Sequence, residues 1–197
     1  VVGAFEMSQS GWHIYVGEIP YSEKGNFWVS FESNSFLKKT KANIYGKCLP
    51  CIQNLYFQLK EGRDEIRLGV AFNCWKIAAV LTGIEECISL LSEFEKRFPG
   101  ERVYGKLGSG RPQSEKKVVV FHTENEKERD RIRESLEVCV PKVDINGEVR
   151  ISRACAVLYD EILGDWRQWK PTTPIKNPEK VGELLKRIKG ILYWTVM

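Results

Sequence analysis

The sequence predicts an α+β protein: a curved, mainly antiparallel sheet with helices packed on one face. Three observations lead there. Aromatic and β-branched runs come in pairs separated by turn residues, as antiparallel neighbours do: Trp12–Ile19 with Phe27–Phe31, and Val103–Leu107 with Lys117–His122. Stretches with helical periodicity separate these pairs, without the regular strand–helix beat of a doubly wound parallel sheet. Finally, the 197 residues contain neither an internal repeat nor a low-complexity linker. One domain spanning 1–197 is therefore the economical reading, with a C-terminal loop and helix (170–197) packed on it.

Taken in order, Trp12–Ile19 ends at Pro20 and reads as a strand; the turn Ser22–Asn26 returns the chain into Phe27–Phe31. Ile52, Leu55, Tyr56 and Leu59 keep helical spacing, and Pro50 suits a first helical turn, so a helix is expected from near Pro50 to Gly62. Glu65–Phe72 alternates as a strand. A long helical region follows from about Lys76 to Phe98, with Gly83 dividing it and Ile84, Cys87, Ile88, Leu91 and Phe94 on one face. After the strands Val103–Leu107 and Lys117–His122, Thr123 with Glu126 matches a capping box, and the helix it opens is expected to end at Pro141. Asn146-Gly147 signals a hairpin, and Val149–Leu158 reads as one bent or two short strands. Lys170–Pro178 reads as loop, leading into a final helix capped by Asn177 with Pro178 at its first position.

Composition narrows the function classes. The chain is 43% apolar and 28% charged, the balance of a folded globular protein. Its net charge of +4 does not by itself demand nucleic acid. The charge is uneven, however: Lys106–Lys117 carries four cations and one Glu, whereas Glu85–Glu95 carries four acids and no cation. No apolar run reaches the roughly 20 residues that span a bilayer. Val1–Ser10 lacks the basic start and long apolar run of a secretory leader, so the six irregularly spaced cysteines are expected to be reduced thiols of a cytoplasmic protein.

The candidate site is the glycine- and serine-rich basic loop Lys106–Lys117, which empties into the strand ending at His122. Glycines let a backbone approach an anion, and Lys106, Arg111, Lys116 and Lys117 supply charge-assisted donors. It is not a nucleotidase phosphate loop, because no Gly-Lys-Ser/Thr stands at the required offset, and it does not match the dinucleotide fingerprint. His122 lies beside a helix start, where an acid–base group or a phosphate contact would be placed. Trp166 and Trp169 flank Arg167 and offer a stacking surface, with Arg153 on the strand before them. The alternatives are ordinary: a solvated loop tip, a satisfied core histidine, and indoles packed in the core. Cys48-Leu49-Pro50-Cys51 has the spacing of a redox pair or half a zinc site, but no second CxxC exists. No nucleophile elbow, HExxH, kinase signature, metal pattern or cofactor fingerprint is present.

The segments Tyr104–Ser109, Val118–Glu124, Arg131–Leu136 and Ala156–Asp160, spread over a match of about 55 residues, together resemble a family with the cap-binding-protein-like fold. Some members of that family are described as phosphothreonine-lyase-like. The resemblance implies a curved sheet backed by helices with ligand on its open face, and it aligns Lys106 with a phosphate-facing strand lysine. His122 stands where that pattern has a lysine, and Tyr159 is followed by Asp160 where it has Lys.

Three functions stay open on the sequence. The first is a binding module for a phosphorylated ligand, RNA or a nucleotide, using Lys106, Arg111 and Lys117 on phosphate, His122 or Arg153 as polar readers, and Trp166 or Trp169 for stacking. The second is a phosphoryl-group enzyme with His122 as acid or base. The third is a non-catalytic assembly subunit using its tryptophan-rich C-terminal region.

Overall fold

In the computed structural model the described backbone comprises residues 3–6, 13–17, 28–33, 40–109 and 116–195, with side chains described for 30–33, 48–108 and 116–192. The chain forms two compact units that interleave in sequence: Val1–Ile44 with Lys76–Ile151, and Tyr45–Trp75 with Ser152–Met197. The architecture is α+β, as the sequence predicts.

The first unit is built on a sheet whose strands are β1 (Gly3–Glu6), β2 (His13–Gly17), β3 (Trp28–Glu32), β5 (Trp75–Leu81), β6 (Tyr104–Ser109), β7 (Lys117–Thr123) and β8 (Glu148–Arg153). Their order is β1-β2-β3-β6-β7-β5-β8, and the first five are antiparallel neighbours. Two helices pack on one face: α2 (Ile84–Arg97) and α3 (Glu126–Val143). Phe31, Ile77, Ala79, Leu81, Leu107, Val119 and Phe121 point from the strands into a core shared with Leu90, Leu91 and Phe94 of α2 and Ile132, Leu136 and Cys139 of α3. Alternation then assigns the other face. Ser30, Glu32, Lys76, Tyr104, Lys106, Val118, Val120 and His122 all lie on it, because side chains along a strand change face at every residue.

The second unit contains α1 (Thr40–Lys60) from Tyr45 onward, the short antiparallel pair β4 (Glu65–Arg67) and β9 (Thr172–Pro174), α4 (Ala156–Leu163) and α5 (Val181–Thr195). Gln58, buried on α1, acts as an extra strand residue. Its amide donates to the Arg67 carbonyl at 2.9 Å, and its Oε1 accepts from the Arg67 N–H at 2.8 Å. Asn54 Nδ2 donates to the same carbonyl at 2.9 Å, so the helix satisfies an edge of the small sheet. Gly62, at φ +72, ends α1 in a left-handed turn closed by Gly62 N–H to Leu59 O and Arg63 N–H to Gln58 O.

Several local expectations are corrected. Residues Lys76–Leu81 lie in strand β5 and Thr82 in the bend after it, not in the opening of a helix: Trp75-Lys76-Ile77-Ala78-Ala79-Val80-Leu81 is covered on both faces, which removes the alternation that marks a half-buried strand. The α1 helix starts ten residues before Pro50, which sits exposed inside it and sacrifices one hydrogen bond. Pro141 likewise lies inside α3, which runs on to Val143. The α3 cap is Asn125, whose Oδ1 accepts from Glu128 N–H at 2.9 Å, while Glu128 reaches back to Glu124 N–H; Thr123 is spent on the end of β7. Glu65–Phe72 supplies only the three-residue β4 before a 3-10 turn at Gly69–Asn73. Asn146-Gly147 turns the chain from α3 into β8, so no hairpin forms. Within Val149–Leu158 the strand stops at Arg153 and α4 begins at Ala156. The segment expected as loop contributes β9. Asn177 does not cap the last helix with its side chain: its Nδ2 donates to Glu161 O at 2.8 Å, and Pro178–Lys180 forms a 3-10 turn before α5.

Candidate functional site

The face of the first unit's sheet opposite α2 and α3 carries an unusual density of polar groups. In register, Glu32 on β3 stands opposite Tyr104 on β6, and Ser30 stands opposite Lys106. On the next pair Lys106 faces Val120, and the step beyond Gly105–Phe121 sets Tyr104 beside His122. Their rings stack, with centroids 5.8 Å apart and planes 15° from parallel. Glu32 is fully buried, His122 is 3% exposed, and Lys76 and Tyr104 are each 7% exposed. Buried ionisable groups are costly, so a row of them across four strands is a feature rather than a by-product of packing. The Tyr104 hydroxyl donates to Glu124 Oε1 at 2.7 Å, tying the row to the loop that opens α3.

Exposure rises toward the other end of this face. Ser30, Lys106, Val118 and Val120 are half-buried, and Lys116 is exposed. At the β8 edge, Val149 and Ile151 pack toward the helices, so Glu148 and Arg150 take the opposite face with Lys106. Glu148 gathers two cations, Arg150 at 2.7 Å and Lys116 at 3.7 Å, and these together hold its carboxyl below the usual range, Arg150 foremost.

The sequence-predicted residues divide as follows. Lys106 and His122 share the polar face on adjacent strands, one diagonal step apart, a spacing of about 7–8 Å and somewhat less between Cβ positions. Lys117 does not join them. It alternates with Val118 and falls on the same side as Val119 and Phe121, where its charge acts on Cys87 of α2. Arg111 lies outside the described residues. Arg153, Trp166 and Trp169 belong to the second unit. There the Arg153 guanidinium lies 4.0 Å from the Trp75 ring, 4.1 Å from Phe72 and 5.9 Å from Trp166, and Trp75 meets Trp166 edge-on at 5.4 Å. Arg153 is thus held in an aromatic cage and is only 8% exposed. Trp166 is half-buried and carries Arg167 over its ring at 5.0 Å. Trp169 is 5% exposed: its ring packs on Tyr159 and its Nε1 donates to Gly164 O at 3.0 Å. The two indoles therefore do not form one platform, and Trp169 serves the core.

Glu32, Lys76 and Tyr104 were not singled out by the sequence. The signal for Tyr104 and Glu32 was present, since the alternation Ser30-Phe31-Glu32 and Tyr104-Gly105-Lys106 sets polar groups on one face. Lys76 was hidden by the helical reading of its segment.

No disulfide links any two of the six cysteines, and no group of three or more His, Cys, Asp or Glu among the described residues is arranged to hold a metal ion. No helix among the described residues is long and apolar enough to cross a membrane. No family model, curated protein or solved structure matches this chain.

Proposed function

We propose that the chain is a binding module for a phosphorylated ligand, RNA or a nucleotide, received on the sheet face that carries Lys106. The observation that carries this reading is the placement of Lys106 and His122 one diagonal step apart on one face, with the half-buried Lys106 side chain at its more open end. Lys116 and Arg150 add two cations on that side, where a polyanion gains from several moderate contacts at once. His122 is stacked and buried, which suits a group that orders a site better than one that exchanges protons with a substrate. Binding is thus favoured over phosphoryl-group catalysis. The second unit's arginine cage is not needed for this reading.

The test is a fluorescence-anisotropy titration with a labelled single-stranded RNA over a range of salt concentrations, with a nucleotide as competitor. Affinity is expected to fall steeply as salt rises. Lys106→Ala should weaken binding about tenfold at low salt and reduce the salt slope by about one. Absence of binding at low salt, or indifference to Lys106→Ala, overturns the reading.

A further inference from the structure

Glu148 and Arg150 stand two residues apart on β8, so strand geometry alone puts them on one face. Two guanidinium nitrogens meet a single carboxylate oxygen: Arg150 Nε donates to Glu148 Oε2 at 2.8 Å, and Nη2 lies 2.7 Å from the same atom. The other oxygen, Oε1, faces Lys116 Nζ at 3.7 Å. Lys116 comes from the turn into β7, and β5 lies between β7 and β8 in the sheet. One carboxylate therefore holds a guanidinium and an ammonium delivered by separate segments, and Arg150, then Lys116, keep it ionised below the usual range.

A phosphodiester fits the same place. Like a carboxylate, it presents two terminal oxygens that share one negative charge, and Arg and Lys bind both kinds of anion. Lys116, Glu148 and Arg150 are all exposed, and exposed ion pairs contribute little to stability, so this internal anion is displaced at small cost. Asp144, the other carboxylate on which Lys116 acts, cannot take over from Glu148. It is buried, and its oxygens already accept from Thr82 and Asn146. Spacing supplies a second argument. Lys106 pairs with Val120 on β7, and Lys116 lies four residues before Val120, about 13 Å along an extended chain. Two cation positions set apart in this way on one face match phosphates along a strand better than those of one nucleotide.

Resting on the reading of this face as a phosphate-binding surface, we infer that the ligand is an RNA strand and that Lys116 and Arg150 form a second phosphate position, held by Glu148 as an internal competitor until the strand displaces it. Lys106 takes one phosphate. A phosphate further along replaces the Glu148 carboxylate between Arg150 and Lys116, and the displaced side chain turns to the solvent it already touches. A ligand with phosphate at one point only gains from one position and leaves Glu148 in place. The acid thus lowers affinity for every ligand, but least for one long enough to engage both positions, which makes it a device for specificity.

The experiment measures anisotropy of a labelled single-stranded RNA with the full chain and its variants at several salt concentrations. Glu148→Gln keeps the side chain's shape and removes its charge. It should bind about fivefold more tightly at low salt, with a salt slope steeper by about one. Glu134→Gln makes the same change in net charge on exposed α3, across the sheet, and should alter affinity by less than about twofold. The double variant Lys116→Ala/Arg150→Ala should weaken binding, and unlabelled strand should compete at least about tenfold better than a mononucleotide. A Glu148→Gln protein that binds no more tightly than Glu134→Gln, or a mononucleotide that competes as well as the strand, overturns the inference. If Lys106→Ala weakens binding while Glu148→Gln matches its control, this inference fails alone. If none of the proteins binds, the reading of the face fails and this inference with it.

Discussion

Tyr104 and His122 stack across neighbouring strands, centroids 5.8 Å apart and ring planes 15° from parallel. The contact follows from the β6–β7 register, and it places an aromatic face against an imidazole with almost no solvent on either. A pair of this kind contributes about 0.5–1.5 kcal/mol beyond its buried area. It also fixes the orientation of His122 at the buried end of the face that carries Lys106.

Tyr104→Phe separates the stack from the hydrogen bond. It keeps the ring on His122 and removes the 2.7 Å bond to Glu124, at an expected cost of about 1–2 kcal/mol in urea unfolding. Tyr104→Ala removes both and should cost about 3–5 kcal/mol. Equal losses from the two variants would show that the ring contributes nothing.

Gly105 is required by space, not by dihedral angle. A Cβ there would meet the Val120 carbonyl oxygen at 1.9 Å and Phe31 Cζ at 2.8 Å. The first of these is backbone of the adjacent strand and cannot rotate away. Gly105→Ala should therefore destabilise the protein by about 3 kcal/mol or more. The check is the thermal midpoint; an unchanged value would mean that β6 and β7 can separate without loss.

Asp144 links the α3 terminus to the end of β5. Its Oδ2 accepts from Thr82 N–H at 2.7 Å and Thr82 Oγ1 at 2.8 Å, and its Oδ1 accepts from Asn146 N–H at 2.9 Å. Burial opposes the charged form, but the hydrogen bonds together with Lys116 outweigh it and hold the carboxyl below its usual range. The stability it contributes is present above the unfolded pKa, about 4, and is lost as pH falls through the lower folded value. Asp144→Ala should cost about 3 kcal/mol at pH 7. The gap between wild type and variant, measured by denaturant titration, should narrow on acidification below about pH 4. A gap that does not change with pH would refute the charge's role.

Asp160 behaves in the opposite sense. Its Oδ1 is buried without a hydrogen-bond partner, and burial, then Asp165, pushes its carboxyl up to about 6. The proton is bound more tightly in the folded state. Stability from this group is therefore greatest at low pH and declines as pH rises from about 4 to about 6. Asp160→Asn should raise stability at pH 7 by on the order of 1–2 kcal/mol, after allowing for solvent screening, and have little effect at pH 4. Loss of stability at pH 7 in the variant would mean that the carboxylate is used.

Much of the architecture was legible in the residues. The 84–94 apolar stripe of α2, the paired strands β2–β3 and β6–β7, and the closing helix all follow from local periodicity and turn chemistry. What escaped was set by burial on two sides or by competition between local signals. β5 has no alternation to read. α4, at Ala156–Leu163, follows β8 after a short turn and has only eight residues to declare itself. Pro50 and Pro141 read as helix boundaries, yet tertiary packing of Cys51, Ile52 and Leu55, and of Cys139 and Val140, outweighs one lost hydrogen bond in each helix. At the candidate site, the basic strand residue Lys106 and the terminal His122 stood out in the sequence, while Lys117 appeared equivalent to Lys106 because charge alone carries no side.

The sequence by itself determined the α+β class, the antiparallel strand pairs and the concentration of cations around β6 and β7, because each depends on neighbours within a few residues. Only the tertiary structure decided which of those cations act together. A strand changes face at every residue, so register sends Lys106 to the polar side with His122 and Lys117 to the helix side. The same holds for Cys74 and Ala154, whose backbones hydrogen-bond across 80 residues of sequence.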